Sequence, residues 1–461
     1  MNSETICALA TPSGGAIGII RVSGSEAIRC VDTLFRAKTK KKLCEVKGGT
    51  FHYGDLLDQQ GQLLDEVIVS VYKAPHSYTG EDSIEISCHG SQYILNKTLQ
   101  ALIDVGCRQA LPGEYTKRAY LNGKMDLSQA EAVADLIGSA NKASHELALS
   151  QLKGHFSSEL SLLREQLLKI TSLLELELDF SDHEELEFAN RDELMGLATK
   201  IHERIETLAR SFETGNAMKN GIPVAIVGKT NVGKSTLLNS LLHEEKAIVS
   251  DIHGTTRDVI EDTTIINGIA FRFIDTAGIR NTQDQIEQLG IERAYQKLNE
   301  ATIILWVIDT LPTQEEVENM LSAAENKKLI VVHNKIDVSS QKISSEDRLI
   351  KETVQGIQEA YISAKYQQGI KELEEKIFAA ANIPEITENS VIVTSARHYE
   401  ALIRSDQSIL RVIAAMNEDL SGDLISEDLH ICLEQLSEIT GGQITPNEVL
   451  GNIFQHFCIG K

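Results

Sequence analysis

The spacing of apolar residues divides the 461-residue chain into blocks of different character. In residues 1–122, short β-rich runs at 16–22, 66–72 and 83–88 alternate with a helix-period stretch at 91–105, and Gly14-Gly15 and Gly48-Gly49 read as turns. That pattern predicts a mixed α and β domain. In the next block, 123–220, the step becomes three or four from Asp126 onward: Leu149, Leu152, Phe156, Leu160, Leu163, Leu167, Ile170 and Leu174 lay one apolar stripe along a predicted helix. Such a stripe has to be covered, and the tail block, 384–461, can supply helices through Ala401, Leu402, Ile409, Leu410, Ile413 and Leu420. A helical domain made of two sequence pieces is expected, with two independent helical hairpins as the alternative. Between the pieces, in 221–383, apolar runs at 223–227, 271–274, 302–308 and 329–332 alternate with helical patterns, one carrying Leu237, Leu238, Leu241 and Leu242 and another at 290–298. Parallel strands with crossover helices, a doubly wound sheet inserted into the helical domain, follow from that order. The prolines mark the same borders: none falls in 113–222, Pro223 opens the central block, and Pro384 closes it.

The turn after the run at 223–227 reads Gly228-Lys229-Thr230-Asn231-Val232-Gly233-Lys234-Ser235-Thr236. On a strand–loop–helix this is a phosphate loop, whose backbone N–H groups and helix N-terminus face phosphate oxygens. Lys234 is expected to reach the β and γ phosphates and the Ser235 hydroxyl to hold Mg²⁺. Asn334-Lys335-Ile336-Asp337 ends the strand at 329–332, the end at which parallel sheets bind ligands. An Asp337 carboxylate can accept from the N1 and N2 donors of guanine, a pair that adenine lacks. Ser363-Ala364-Lys365 completes the base pocket, and Asp275-Thr276-Ala277-Gly278 places a carboxylate near the metal and the Gly278 N–H near the γ phosphate. The four segments, in this order, predict a GTP-hydrolysing domain. Many small GTPases follow the last of these turns with a glutamine that orients water; here the residue is Ile279. Another group must therefore position the water and stabilise the developing charge. Asn231 offers a neutral oxygen beside the phosphates, although asparagine equally suits a tight turn.

Charge and cysteine usage narrow the class. Lysine and arginine number 44 against 67 acids, a net charge of -23, which argues against a protein held on nucleic acid by a broad basic field. Lys38 and Lys40, Lys41 and Lys42 form a small basic cluster that also reads as a solvated loop. Seven cysteines without a C-x-x-C pair encode neither a disulfide framework nor a zinc knuckle. With no signal-peptide start and no apolar run of about 18 residues, a soluble cytoplasmic chain without a membrane span is expected.

Further motifs carry a resemblance. Ala10-Thr11-Pro12, Gly18-Ile19-Ile20-Arg21-Val22-Ser23-Gly24, Thr79-Gly80-Glu81-Asp82, Pro112-Gly113-Glu114, Leu121-Asn122-Gly123-Lys124, Gly254-Thr255-Thr256-Arg257-Asp258 and the terminal Cys458-Ile459-Gly460-Lys461 are spread over the whole sequence. With them the chain resembles the MnmE (TrmE) family of tRNA modification GTPases, within the TrmE-Era-EngA-like GTPases. The resemblance implies an N-terminal α+β domain that binds a reduced folate such as 5-formyl-tetrahydrofolate and dimerises, a discontinuous helical domain, and an inserted P-loop G domain. It implies a homodimer that acts with an FAD-dependent partner, MnmG, in a heterotetramer or larger complex. Together they install a carboxymethylaminomethyl or aminomethyl group at carbon 5 of the wobble uridine of certain tRNAs.

The resemblance also assigns residues. It implies K⁺ held by Asn231, Ser250, Ile252 and Thr255, Mg²⁺ held by Ser235 and Thr256, and a nucleotide-contacting loop that includes Asp251, His253 and Gly254. Glu287 is implied to position the water; by itself it reads as a helix-start carboxylate. Arg21, Glu85 and Lys124, with Lys461 nearby, are implied to contact folate, whereas unaided Arg21 and Glu85 read as a cross-strand ion pair. Cys458 is implied to act in the modification as a base or transient nucleophile, where a lone cysteine otherwise reads as an idle thiol. Two other functions compete: a ribosome-assembly GTPase, which would carry a basic RNA-binding module, and a folate-dependent one-carbon transferase with GTP as a passive regulator.

Overall fold

The computed structural model describes residues 4–179, 191–242, 262–274, 300–338, 357–383, 390–418 and 420–442, with Phe457 and Gly460. The chain divides into two compact units, one of residues 1–137, 151–202 and 404–461, the other of 138–150 and 203–403.

The first unit begins with strands β1 (Ile6–Leu9) and β2 (Ile17–Ser23), helix α1 (Ala27–Leu34), and strands β3 (Phe35–Ala37), β4 (Thr50–Leu57), β5 (Leu63–Tyr72) and β6 (Ser83–His89). Helix α2 (Gln92–Asp104), strand β7 (Arg108–Gln109) and helix α3 (Glu114–Leu121) follow. The seven strands form one sheet in the order β3-β4-β5-β6-β2-β1-β7, antiparallel except for the β1–β7 pair. Alternation decides which side is dry: Val67, Val69 and Val71 of β5 and Ile20 and Val22 of β2 are buried with α1 and α2, while Arg21 and Glu85 point to the other face. The strands expected at 16–22, 66–72 and 83–88 and the helix at 91–105 are present.

Four helices come next: α4 (Leu127–Gly138), α5 (Lys142–Leu152), α6 (His155–Asp179) and α7 (Arg191–Asn220). The central sheet then uses β8 (Ile222–Val227), helix α8 (Lys234–Leu241), β9 (Asp262–Ile266), β10 (Ile269–Ile274), β11 (Ile303–Ile308), helix α9 (Gln314–Ala323), β12 (Lys328–His333), β13 (Gln358–Tyr361) and helix α10 (Ile370–Ala380). Its order is β13-β12-β11-β8-β10-β9, parallel except for the β9–β10 hairpin. β11 is buried at all six positions, as a strand covered on both faces requires. The last helices among the described residues are α11 (Ala396–Asn417) and α12 (Gly422–Thr440).

α6 packs along α12, joining sequence pieces on either side of the central sheet into one discontinuous helical domain. Phe156, Leu160, Leu163, Leu167, Ile170 and Leu174 form the buried stripe of α6, and Ile425, Leu429, Cys432, Leu436 and Ile439 that of α12. Two expectations are corrected. The stripe 149–174 does not lie on one helix: Gly154 adopts φ +85, a left-handed conformation that favours glycine, and splits it into α5 and α6. Leu410, expected to cover the stripe, is 44% exposed, because the buried face of α11 runs through Leu402, Ser405, Ile409, Val412 and Met416, and Leu420, past the end of that helix, is 38% exposed. The helix expected at 290–298 lies outside the described residues. Among the described residues no helix is long and apolar enough to cross a membrane.

Candidate functional site

In the second unit, the loop 228–233 leaves β8 and enters α8 at Lys234, as the strand–loop–helix reading requires. Gly233 turns it with φ +100, and a Cβ there would collide with the side-chain nitrogen of Asn334. Asn231 also takes a left-handed conformation, φ +66. The Lys234 ammonium lies over the loop and donates to the carbonyls of Gly228 at 2.7 Å and Lys229 at 2.6 Å. Burial pulls its pKa down, since desolvation disfavours the charged form. Ser235 and Thr236 occupy the first turn of α8.

Asn334, at the end of β12, laces three loops together. Its amide nitrogen donates to the Val232 carbonyl at 2.8 Å, while its oxygen accepts from the N–H groups of Lys335 at 2.8 Å and Ala364 at 3.0 Å. The side chain is buried, so each partner replaces water it cannot reach. Lys335 extends beside the phosphate loop, donating to the Asn231 carbonyl and the Asp309 carboxylate, both at 2.7 Å. Ser363 donates to Asp337 and fixes its carboxylate. Ser240 of α8 holds the Ala364 carbonyl at 2.9 Å. On the outer side Lys229 pairs with Glu316 at 2.7 Å, and Glu316 also closes a capping box with Thr313 at the start of α9. Asn231, Val232, Gly233, Lys234, Asn334, Lys335, Asp337, Ser363 and Ala364 are thus brought into one cleft. Asp309, Ser240 and Glu316 were not singled out from the sequence. The only signal for Asp309 was its place just after β11, at the same sheet end.

Ser250, Asp251, Ile252, His253, Gly254, Thr255, Thr256, Asp275, Thr276, Ala277, Gly278, Glu287, Cys458 and Lys461 lie outside the described residues.

In the first unit, Arg21 and Glu85 stand opposite each other on β2 and β6 and form an ion pair in which Glu85 Oε1 accepts from Arg21 Nε at 3.0 Å and Nη2 at 2.8 Å. They line a cavity of about 230 Å³ with Tyr72, Tyr78, Thr79 and Ser83. The Arg21 guanidinium lies 5.5 Å from the Tyr78 ring centre and 5.6 Å from that of Tyr115, and its Nη1 donates to the Gly460 carbonyl at 3.2 Å. The C-terminal segment therefore meets this cavity through its penultimate residue. Below it, Ser23 bonds Thr79 and Glu81, and Glu81 pairs with Arg118 at 3.0 Å. Burial pushes the Tyr78 phenol up, so it stays protonated as a donor at neutral pH. Lys124 is not part of the lining: its ammonium donates to the Pro75 carbonyl at 3.0 Å, beside Gly80 in the loop that carries Tyr78 and Thr79. Tyr72 and Tyr78 were missed because nothing in their local sequence marks them as cavity walls.

Comparison with known proteins bears on the family. Residues 5–124 match the family described as the GTP-binding protein TrmE N-terminus, and residues 127–458 match the MnmE helical domain. The tRNA modification GTPase MnmE of Bacteroides fragilis is 55% identical over 468 residues, covering 100% of both chains. That of Phocaeicola vulgatus is 54% identical, covering 100% of this chain and 99% of the relative, and that of Flavobacterium johnsoniae is 48% identical over 100% of both. Among solved structures, the G domain of T. maritima FeoB is 24% identical over 35% of this chain and 98% of its own, at a TM-score of 0.26, too low to argue from. Full-length identity at this level, with a matching N-terminal and helical region, places the chain in the MnmE family of tRNA modification GTPases.

Proposed function

We propose that the protein is a K⁺-dependent GTPase that works as a cytoplasmic homodimer with the FAD-dependent protein MnmG. Together they add a carboxymethylaminomethyl or aminomethyl group to carbon 5 of the tRNA wobble uridine, using a one-carbon unit from a reduced folate. The observation that carries the reading is the Asn334 side chain, which ties the phosphate loop to the base-reading loop. A cleft whose donors are fixed before GTP arrives loses little to reorganisation. Lys234 receives the β and γ phosphates and Asp337 the guanine edge, with Asp275 and Gly278 at the γ end. Ser235 and Thr256 would hold Mg²⁺, and Asn231, Ser250, Ile252 and Thr255 would hold K⁺. Amide, hydroxyl and carbonyl oxygens are hard donors that suit such ions. A bound K⁺ supplies fixed positive charge beside the phosphoryl group, the part an arginine finger plays elsewhere. Glu287 positions the attacking water, since Ile279 cannot.

The assigned parts are an N-terminal folate-binding and dimerisation domain over 1–122, a helical domain from 123–220 and 384–461, and a G domain over 221–383. The cavity suits a pterin: Glu85 can accept from an amide and amino edge, the tyrosine rings fit a flat heterocycle, and Arg21, Lys124 and Lys461 suit a glutamate tail. Cys458 is assigned to the modification chemistry, as base or transient nucleophile, from its place two residues before Gly460. Dimerisation is assigned to the open face of β4 and β5, where Phe51, Tyr53 and Ile68 are 71%, 51% and 47% exposed.

The test is GTP turnover by the purified protein in K⁺ and in Na⁺, with mass spectrometry of tRNA nucleosides from a strain lacking it. Faster hydrolysis in K⁺ and loss of the modified wobble nucleoside are expected. Equal rates in both ions would remove the K⁺ assignment, and an unchanged nucleoside profile would remove the modification itself.

A further inference from the structure

We infer that the loop between β3 and β4 is a contact surface for the sugar-phosphate backbone of tRNA. This rests on tRNA being the substrate, and it addresses a physical difficulty that reading raises. The chain carries a net charge of -23 and would repel a polyanion at long range. At physiological ionic strength, repulsion between exposed charges fades beyond roughly 8 Å. Binding can therefore be carried by a local surface on which cations are concentrated and carboxylates are few.

Residues 36–47 are such a surface. They hold Arg36, Lys38, Lys40, Lys41, Lys42 and Lys47 against one carboxylate, Glu45, and Lys40 to Lys42 are the only run of three consecutive basic residues in the chain. All six cations are exposed. Two are already engaged: Arg36 caps the α1 carbonyls of Asp32 and Thr33, and Lys38 pairs with Asp55 at 2.6 Å and Glu66 at 3.3 Å. Among the described residues, no carboxylate pairs with Lys40, Lys41, Lys42 or Lys47. Unpaired neighbouring cations repel one another, so gathering them here has an electrostatic cost that a bound polyanion would offset.

The backbone beneath them is held in place. Leu43 is fully buried in the sheet–helix core, its N–H donates to Asp32 Oδ1 at 2.7 Å, and a single turn of 3₁₀ helix at Leu43–Glu45 follows. Lys40 turns the chain with φ +58, its N–H bonded to the Ala37 carbonyl at 2.9 Å. Lys73 of the neighbouring segment donates to the Cys44 carbonyl at 3.2 Å, adding one more positive charge at the base. An anchored loop presents its charges with little backbone entropy left to lose on binding. Phosphate contacts of this kind set position and affinity without reading sequence, which suits an enzyme that recognises several tRNAs.

The experiment titrates the full-length protein, alone and with its FAD-dependent partner, with unmodified tRNA across a salt series. For K40A/K41A/K42A we expect roughly ten- to hundredfold weaker binding near 100 mM salt and a log–log salt slope shallower by two to three units. K40R/K41R/K42R should restore both, and the hydrogen-exchange protection of Ile20, Val22 and Ile86 in the N-terminal sheet and GTP turnover without tRNA should stay at the wild-type level, which excludes misfolding. Unchanged affinity and slope in the alanine variant, with wild-type binding intact, would overturn the surface while leaving the tRNA reading in place. Absence of tRNA binding by the wild type, alone and with its partner, would overturn both. Loss of binding to phosphatidylglycerol vesicles, with tRNA binding untouched, would also overturn the surface by reassigning it to lipid phosphate.

Discussion

At the nucleotide cleft, position is set largely by main chain: the carbonyls of Val232, Gly228 and Asn231 and the N–H of Ala364 take the polar contacts, and one neutral amide, Asn334, ties them together. At the N-terminal cavity, position is set by side chains that meet across strands, Arg21 with Glu85 and Glu81 with Arg118, between tyrosine rings. The first kind of site depends on loop shape and tolerates little change in the residues that set it. The second depends on charge, so salt screens it and it can be weakened stepwise. On the function proposed above, the two sites would differ in how they respond to substitution: the loop-built one abruptly, the charge-built one by degrees.

Lys234→Ala is the sharpest probe of this contrast. Removing the ammonium that bonds the Gly228 and Lys229 carbonyls should cut GTP turnover by roughly 10²–10³-fold, while binding of 5-formyl-tetrahydrofolate, followed by calorimetry, stays unchanged. If folate binding fell in parallel, the two sites would not be separately built. Asn334→Ala comes next. It leaves the Ala364 N–H and the Val232 carbonyl without their buried partner, at a cost of about 2–4 kcal/mol, read as a lower denaturant midpoint together with weaker GTP binding.

The same contrast explains what was legible in the sequence. Asn231 to Thr236 and Asn334 to Asp337 are contiguous, and a loop of fixed shape needs its glycines, lysine and amide at fixed spacing, so they stand out before any fold is known. Four strands of the central sheet followed from their apolar runs, whereas β9 and β13, which read Asp262-Thr263-Thr264-Ile265-Ile266 and Gln358-Glu359-Ala360-Tyr361, sit at its edges and carry no such run. Arg21 and Glu85 are 64 positions apart and meet only through the register of β2 and β6. Local spacing left them as one ion pair among many, and the resemblance singled them out. Tyr72 and Tyr78 gave no signal because a tyrosine at a strand end or in a loop is ordinary until a cavity is seen beside it. The break at Gly154 was hidden because α5 and α6 keep the three–four step across it, and periodicity alone does not report one residue of left-handed backbone.

Glu85→Gln tests the graded side. It keeps the shape of the cavity wall but removes the charge that pairs with Arg21, and both groups are partly exposed, so the stability cost should be only ~1 kcal/mol or less. Folate affinity should fall about tenfold, the loss of one charge-assisted bond, with GTP turnover in the absence of tRNA unchanged. An unfolded N-terminal region, or a turnover rate that drops with it, would mean that the pair is structural.

The smallest effect separates the regions by pH. Burial raises the pKa of Glu114, but Arg108 at 2.7 Å, the Leu111 N–H at 2.8 Å and Arg118 at 2.9 Å outweigh it and hold the carboxyl below its ordinary value. A depressed folded pKa means the unfolded chain binds the proton more readily. The stabilisation is therefore complete above the unfolded value of about 4.3 and is lost as pH falls through the folded value. The N-terminal region should lose stability with acid in that window. Glu114→Gln should be less stable at neutral pH and should show a flatter profile below pH 5, since the amide has no proton to gain. Asn334 carries no titrating proton, so its contribution to the nucleotide cleft should hold steady over the same range. Hydrogen exchange followed separately for Ile20, Val22 and Ile86 of the N-terminal sheet and for Leu305, Val307 and Val332 of the central one would resolve the two. Parallel loss of protection in both sheets, or an unaltered slope in Glu114→Gln, would show that acid acts through other carboxylates.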